Sequence, residues 1–126
     1  MIVVDTSALM AIVLDEPEAE RCADCIASER DIRISAATIA EALIVAAQRN
    51  VGSEMERLIA GLPFEVIPVT EASARRVADA YAKWGKGNHP AGLNFGDCFA
   101  YVAAQELNCP LLFVGEDFGR AGMASG

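Results

Sequence analysis

Four acidic positions in this chain stand where an ordinary solvated carboxylate is not expected. Asp5 directly follows the apolar run Ile2-Val3-Val4, and Glu41 interrupts the apolar stretch from Ile39 to Ala47. Asp97 opens the run Asp97-Cys98-Phe99-Ala100-Tyr101-Val102-Ala103-Ala104, and Glu116 and Asp117 come straight after the apolar stretch that ends at Val114. On a helix, Glu41 would share its face with Ala37, Ile44, Val45 and Gln48. A carboxylate among such neighbours loses hydration, which is costly without a compensating charge or donor. Asp97 would likewise face Ala100, Tyr101 and Ala104. Each acid alone has an ordinary explanation. Asp5 suits a helix N-cap ahead of Thr6 and Ser7, Asp97 suits a first helical turn, and Glu116 or Asp117 suits a turn. Together, four like charges in one pocket would repel and raise each other's pKa, and divalent cations would remove that problem. An all-oxygen set with no cysteine or histidine cluster selects Mg²⁺, with Mn²⁺ as the alternative, over zinc. Such a site suits phosphodiester hydrolysis, in which a metal activates water, orients the phosphate and stabilises the leaving oxygen.

The elements that must position these acids follow from pattern. Residues 1–5 read as a buried strand. Thr6 to Leu14 reads as a helix, and Pro17 fits the first turn of a second helix running to about Ser28. Ile32–Ile34 is a short strand, Ala36–Arg49 a helix, Ser53–Ala60 another, and Phe64–Ile67 a third strand. Thr70–Lys83 is a helix, 85–92 a glycine-rich loop, Phe95–Leu107 a helix and Leu111–Val114 a fourth strand. From Gly115 the chain reads as turn-like and then without defined structure. Short apolar strands separated by helices predict a three-layer α/β/α fold with a parallel sheet of four or five strands covered on both faces. Ligands in such folds bind beyond the carboxyl ends of the strands, where Asp5 and the 116–117 pair would converge.

With 126 residues, 53 % of them hydrophobic and 22 % charged, the chain is expected to form one ordered domain over residues 1–126. No stretch approaches the roughly 18 uncharged apolar residues of a membrane span, and the N-terminus reads as the start of the fold, not a signal peptide. A cytoplasmic protein without membrane association is the expectation. Cys22 and Cys25 lie in a helical stretch, with Cys98 and Cys109 far off in sequence, so buried reduced thiols are favoured over a metal or redox site. The net charge of −8 opposes phosphate binding, which Lys and Arg drive. Two divalent cations would halve it. Arg75, Arg76, Lys83 and Lys86, four of the ten basic residues, could form a basic stripe beside the acidic pocket that holds a phosphate backbone, with His89 in the loop before Asp97 as a further contact or a proton-transfer group.

These residues resemble the PIN-domain ribonucleases, specifically the VapC-type toxins of bacterial toxin–antitoxin pairs. Val3-Val4-Asp5-Thr6-Ser7-Ala8-Leu9 is similar to that family's first motif, and Glu41 falls in the helix of its second acid. The stretch from Gly85 to Cys98, with Asn94-Phe95-Gly96-Asp97 at its end, resembles the third, and Leu112-Phe113-Val114-Gly115-Glu116-Asp117-Phe118 the last. The resemblance implies a Mg²⁺-dependent endoribonuclease, neutralised by a cognate antitoxin and usually homodimeric. It implies Asp5 and Asp97 as principal metal ligands, Glu41 as third acid, and Thr6 and Ser7 as supporting hydroxyls. The fourth acid departs from the commonest pattern, which places an Asp where this chain has Val114. Glu116, nearer the strand end, is the preferred candidate, with Asp117 the alternative. A rival of another class is a PIN-like scaffold that binds RNA or protein without cleaving.

Overall fold

The structure is a computed structural model that describes residues 1–123; the last three residues of the expected domain lie outside the described residues. The chain begins with β1 (Ile2–Val4), α1 (Thr6–Val13), α2 (Ala19–Ser28) and β2 (Ile32–Ser35). It continues with α3 (Ala36–Gln48), α4 (Gly52–Gly61), β3 (Glu65–Ile67) and α5 (Glu71–Trp84). It ends with α6 (Phe95–Leu107), β4 (Leu111–Leu112) and α7 (Asp117–Arg120). The strands pair in parallel in the order β3-β2-β1-β4.

Alternation along the central strands makes the layers. Ile2 and Val4 of β1, Ile32 and Ile34 of β2 and Leu112 of β4 enter one core with Leu9, Cys22, Ile26, Ala42, Ala46 and Met55 from α1–α4. Val3 and Leu111 point the other way, into a core built by Val77 and Ala80 of α5, Cys98 to Ala104 of α6, and Phe118 of α7. Strands buried on both faces need apolar residues at every position, which is why β1 reads Ile-Val-Val. The sheet is thus the predicted three-layer arrangement, with four strands among the described residues.

Three expectations are corrected in detail. The edge strand β3 is not covered on both faces: Glu65 and Val66 are exposed. Glu65 sits opposite Arg33 in the register and pairs with it at 2.8 Å, an opposite-charge pair of the kind that stabilises an edge. Pro17 stands in the turn ahead of α2, not in its first turn. Asp15 turns left-handed (φ 52°) and the Glu16 N–H returns to the Ala11 carbonyl, so the chain is still turning there. The segment after Gly115 is helical, as α7, because Phe118 is buried in the second core and holds it down. The four cysteines are free thiols, Cys22 and Cys98 buried and Cys25 and Cys109 half-buried. No helix of the described residues is long and apolar enough to cross a membrane.

The strand order places the site. After β1 the chain moves out through β2 and β3, then crosses back to add β4 on the other side of β1. The crevice at that switch, beyond the carboxyl ends of β1 and β4, is where such sheets bind ligands. The residues leaving those two strands are Asp5 and the 113–117 segment.

Candidate active site

Asp5 is held by both strands and by its own helix. Its N–H donates to the Leu112 carbonyl of β4 at 3.0 Å. Its side chain caps α1: Oδ2 accepts from the Ser7 N–H at 3.0 Å and from Ser7 Oγ at 2.6 Å. The residue is only 2 % exposed, and its other oxygen, Oδ1, has no hydrogen-bond partner. A buried carboxylate oxygen left unpaired is expensive and uncommon. Burial pushes the Asp5 carboxyl up to about 7, against the two Ser7 hydrogen bonds, and the charges of Asp97 and Glu41 push it further the same way.

Asp97 sits in the first turn of α6. Asn94 caps that helix in a reciprocal box: Asn94 Oδ1 accepts from the Asp97 N–H at 2.8 Å, and Asp97 Oδ2 accepts from the Asn94 N–H at 2.9 Å. This satisfies two orphan amides and fixes the carboxylate's rotamer. Burial raises the Asp97 carboxyl to about 6, the Asn94 amide opposes the rise, and Glu41 and Asp117 add to it. Glu41 is half-buried on α3 and accepts from Thr6 Oγ1 at 2.6 Å on Oε1. Thr6 Oγ1 also lies 3.5 Å from the Thr38 carbonyl. The structure therefore brings Asp5, Glu41 and Asp97 into one electrostatic group, with Thr6 and Ser7 as the hydroxyls that orient two of them.

At the fourth position the two candidate acids stand differently, though both are exposed. Glu116 is exposed and pairs with Arg120 at 2.7 Å, one helical turn on. Asp117 is the residue whose charge reaches Asp97. Proximity to the strand end favoured Glu116, and Gly115 (φ 108°) turns the chain just before it.

The basic stripe is weaker than its composition. Arg75 pairs with Glu71 at 3.3 Å and Arg76 with Glu106 at 3.1 Å. Lys83 lies over the Trp84 ring, 4.9 Å from its centroid, and Lys86 is exposed in the loop that follows. His89 shapes that loop: Nδ1 accepts from the Ala91 N–H at 2.9 Å, and the ring meets Trp84 edge-on at 4.7 Å. These contacts give His89 a local role and leave two lysines as the cations of the stripe without a carboxylate partner among the described residues. Two residues near the site escaped the sequence reading. Asn94 was detectable as an N-cap three residues before Asp97. Arg21 was not: its Nη2 donates to the Phe113 carbonyl at 3.0 Å, across 92 residues of sequence.

Among the described residues, no three His, Cys, Asp or Glu side chains close on a common point as a ready-made cage. That arrangement still fits one hard cation. Mg²⁺ keeps several waters and uses one or two carboxylates plus substrate phosphates. Asp5, with an unsatisfied buried oxygen, and Asp97, whose charge acts on it, would supply that donor set.

Comparison with known proteins identifies the family. The PIN domain family model matches residues 2–123. Ribonuclease VapC28 of Mycobacterium tuberculosis is 44 % identical over 125 residues, covering 96 % of this chain and 94 % of that protein. The crystal structure of Mycobacterium tuberculosis VapC20, described as a sarcin–ricin-loop-cleaving toxin, superposes with a TM-score of 0.82 at 15 % identity, covering 100 % of this chain and 98 % of that one. A chain of a toxin–antitoxin complex from Klebsiella pneumoniae matches with a TM-score of 0.70 at 18 % identity, over 94 % of this chain and 90 % of that one. The chain belongs to the PIN-domain family, within its VapC-type branch.

Proposed function

We propose that the chain is a Mg²⁺-dependent endoribonuclease toxin of the cytoplasm, restrained by a cognate antitoxin protein and active as a homodimer, with Mn²⁺ able to replace Mg²⁺. The observation that carries the metal site is Asp5: a carboxyl almost wholly buried, pinned through one oxygen and unpartnered at the other. Evolution of a stable fold alone would not favour such a group, since burial works against its ionised form. The ribonuclease activity follows from relatives at 44 % identity that bear that name.

Asp5 and Asp97 would hold the ion. Bound there, it would neutralise the clustered charge, polarise a phosphodiester and lower the pKa of water. The chain's own residues do the rest. Ser7 fixes the Asp5 carboxylate, and the Asn94 box fixes Asp97. Thr6 holds one oxygen of Glu41, which leaves the other to take a proton from the attacking water. Asp117 adds a fourth negative charge at the rim. Lys83 and Lys86, the cations of the stripe without a carboxylate partner among the described residues, would meet an RNA backbone. The antitoxin partner follows from VapC-type membership and from the likeness in fold to a chain of a toxin–antitoxin complex. The homodimer is supported by exposed Ile44, Val69 and Phe95, which border an apolar groove with Ala37, Ala40 and Phe99 beside Glu41, since apolar patches of this kind mark association surfaces.

The test is cleavage of a mixed RNA substrate with Mg²⁺ by wild type, by Asp97→Asn and by EDTA-treated wild type. Cleavage is expected from the metal-loaded wild type alone. Equal cleavage by Asp97→Asn would remove the proposed site.

A further inference from the structure

Gly96 has no backbone reason to be glycine. It lies in the first turn of α6 and is not among the residues with positive φ, and glycine within a helix costs stability relative to alanine. The nearest obstacle to a side chain is one neighbouring carboxylate. A Cβ built on Gly96 would overlap the Glu41 carboxylate, and its three nearest atoms would be Oε2, Cδ and Oε1 of Glu41. Thr6 Oγ1 also donates to Glu41 Oε1 at 2.6 Å. The acid is thus clamped between a hydroxyl of α1 and the bare Cα of α6, one residue before Asp97.

We propose that Gly96 is a positioning residue, whose missing side chain forms the slot that seats the Glu41 carboxylate beside Asp97; this rests on the reading of Glu41 as a working acid of the nuclease site. The atoms in the way belong to the far end of a flexible side chain. A methyl group at position 96 can therefore be accommodated by turning Glu41 aside, with no movement of the α6 backbone. The fold tolerates that change and gains helix propensity from it. The site does not, because the acid leaves its place against Thr6 and Asp97. Glycine at 96 matters for where it puts Glu41.

The experiment is a double-mutant cycle with two readouts. In RNA cleavage, Gly96→Ala should lower kcat by about 10- to 100-fold, the scale of a misplaced catalytic group, with KM little changed. Glu41→Asp should lower kcat on its own account. Adding Gly96→Ala to Glu41→Asp should cost no more, since the shortened acid clears the methyl. Independent losses that multiply would overturn the proposal. In thermal melting without RNA, Gly96→Ala should raise Tm by a few degrees more in a Glu41→Ala background than in the wild type. Equal gains in the two backgrounds would overturn it. If Gly96→Ala alone fails to fold, recovery of the fold in Gly96→Ala/Glu41→Ala supports the slot, and failure to recover overturns it. A wild type that cleaves no RNA would sink the nuclease reading, yet the melting cycle would still decide whether Gly96 seats Glu41.

Discussion

Two strand exits bound this site, and they are built differently. At the end of β1, Asp5 is buried and tied by its backbone to β4 and by one carboxylate oxygen to Ser7. At the end of β4, the pairing stops after Leu112. Glu116 and Asp117 are both exposed, and the segment is held by Ser7 Oγ on the Val114 N–H and by Arg21 on the Phe113 carbonyl. Each exit delivers an acid to the same crevice, but only the first gives its acid a single position. A carboxylate whose environment is fixed and dry can be tuned in pKa and held for a cation. One on an exposed turn contributes mainly a screened charge.

The sharpest way to break this contrast is to neutralise one acid at each exit. Asp5→Asn keeps an oxygen for the Ser7 cap and removes the charge, so cleavage should fall on the order of 10³-fold. Asp117→Asn should cost about 10- to 100-fold, as for groups that act around a metal centre. Glu116→Gln, which loses only the exposed pair with Arg120, should stay within about twofold of wild type. Initial cleavage rates at saturating Mg²⁺ read all three. A Glu116→Gln loss as large as that of Asp117→Asn would restore the choice made from sequence proximity.

What was legible in the sequence divides along the same line. Asp5 and Asp97 were readable because strand burial and helix patterning act over a few residues: a charge at the end of Ile-Val-Val, or at the head of an all-apolar helix, contradicts its surroundings locally. Phe95–Leu107 was bounded correctly for the same reason, with Asn94 supplying the cap. The choice between Glu116 and Asp117 was not readable. It depends on the left-handed turn at Gly115 and on burial of Phe118, which are set by tertiary packing. The pairing of Arg76 was hidden in the same way, since its partner Glu106 stands 30 residues away. The Gly96–Glu41 contact joins two helices that sequence spacing cannot relate.

The next effect is on stability. In metal-free protein, the Asp5 carboxyl is raised from 3.8 to about 7 by burial. Between those values the unfolded chain has released the proton and the folded chain still holds it, so unfolding becomes easier as pH rises. The loss begins near pH 4, grows to about 4 kcal/mol by pH 7, and is flat above. Asp97, raised to about 6, adds in the same direction. Asp5→Asn should therefore melt higher than wild type in EDTA, by on the order of 10 °C at pH 7.5, with the gap closing toward pH 4. Saturating Mg²⁺ should raise the wild-type Tm and narrow the gap from the other side. A gap in Tm that does not change with pH would show that burial of charge is not its cause.

The last prediction tests the link between the two exits. Ser7 Oγ donates to Asp5 Oδ2 and accepts from the Val114 N–H at 3.0 Å, so one hydroxyl serves both strand ends. Ser7→Ala leaves Asp5 with the Ser7 amide alone and leaves the half-buried Val114 N–H unpaired, a cost of about 1–3 kcal/mol. Asp5 keeps its place through the backbone bond to Leu112 and the remaining cap, so the β1 end should hold. The β4 end, paired over only two residues, has less to fall back on. Hydrogen exchange at Val114 should accelerate by roughly 10- to 100-fold, in line with that cost, while the amides of Val3 and Val4 exchange as in the wild type. Ser7→Thr, which restores the hydroxyl, should recover the protection. If Val114 exchanges normally in Ser7→Ala while Tm falls, the hydroxyl stabilises α1 through its cap and does not bridge the strands, and the two exits are independent.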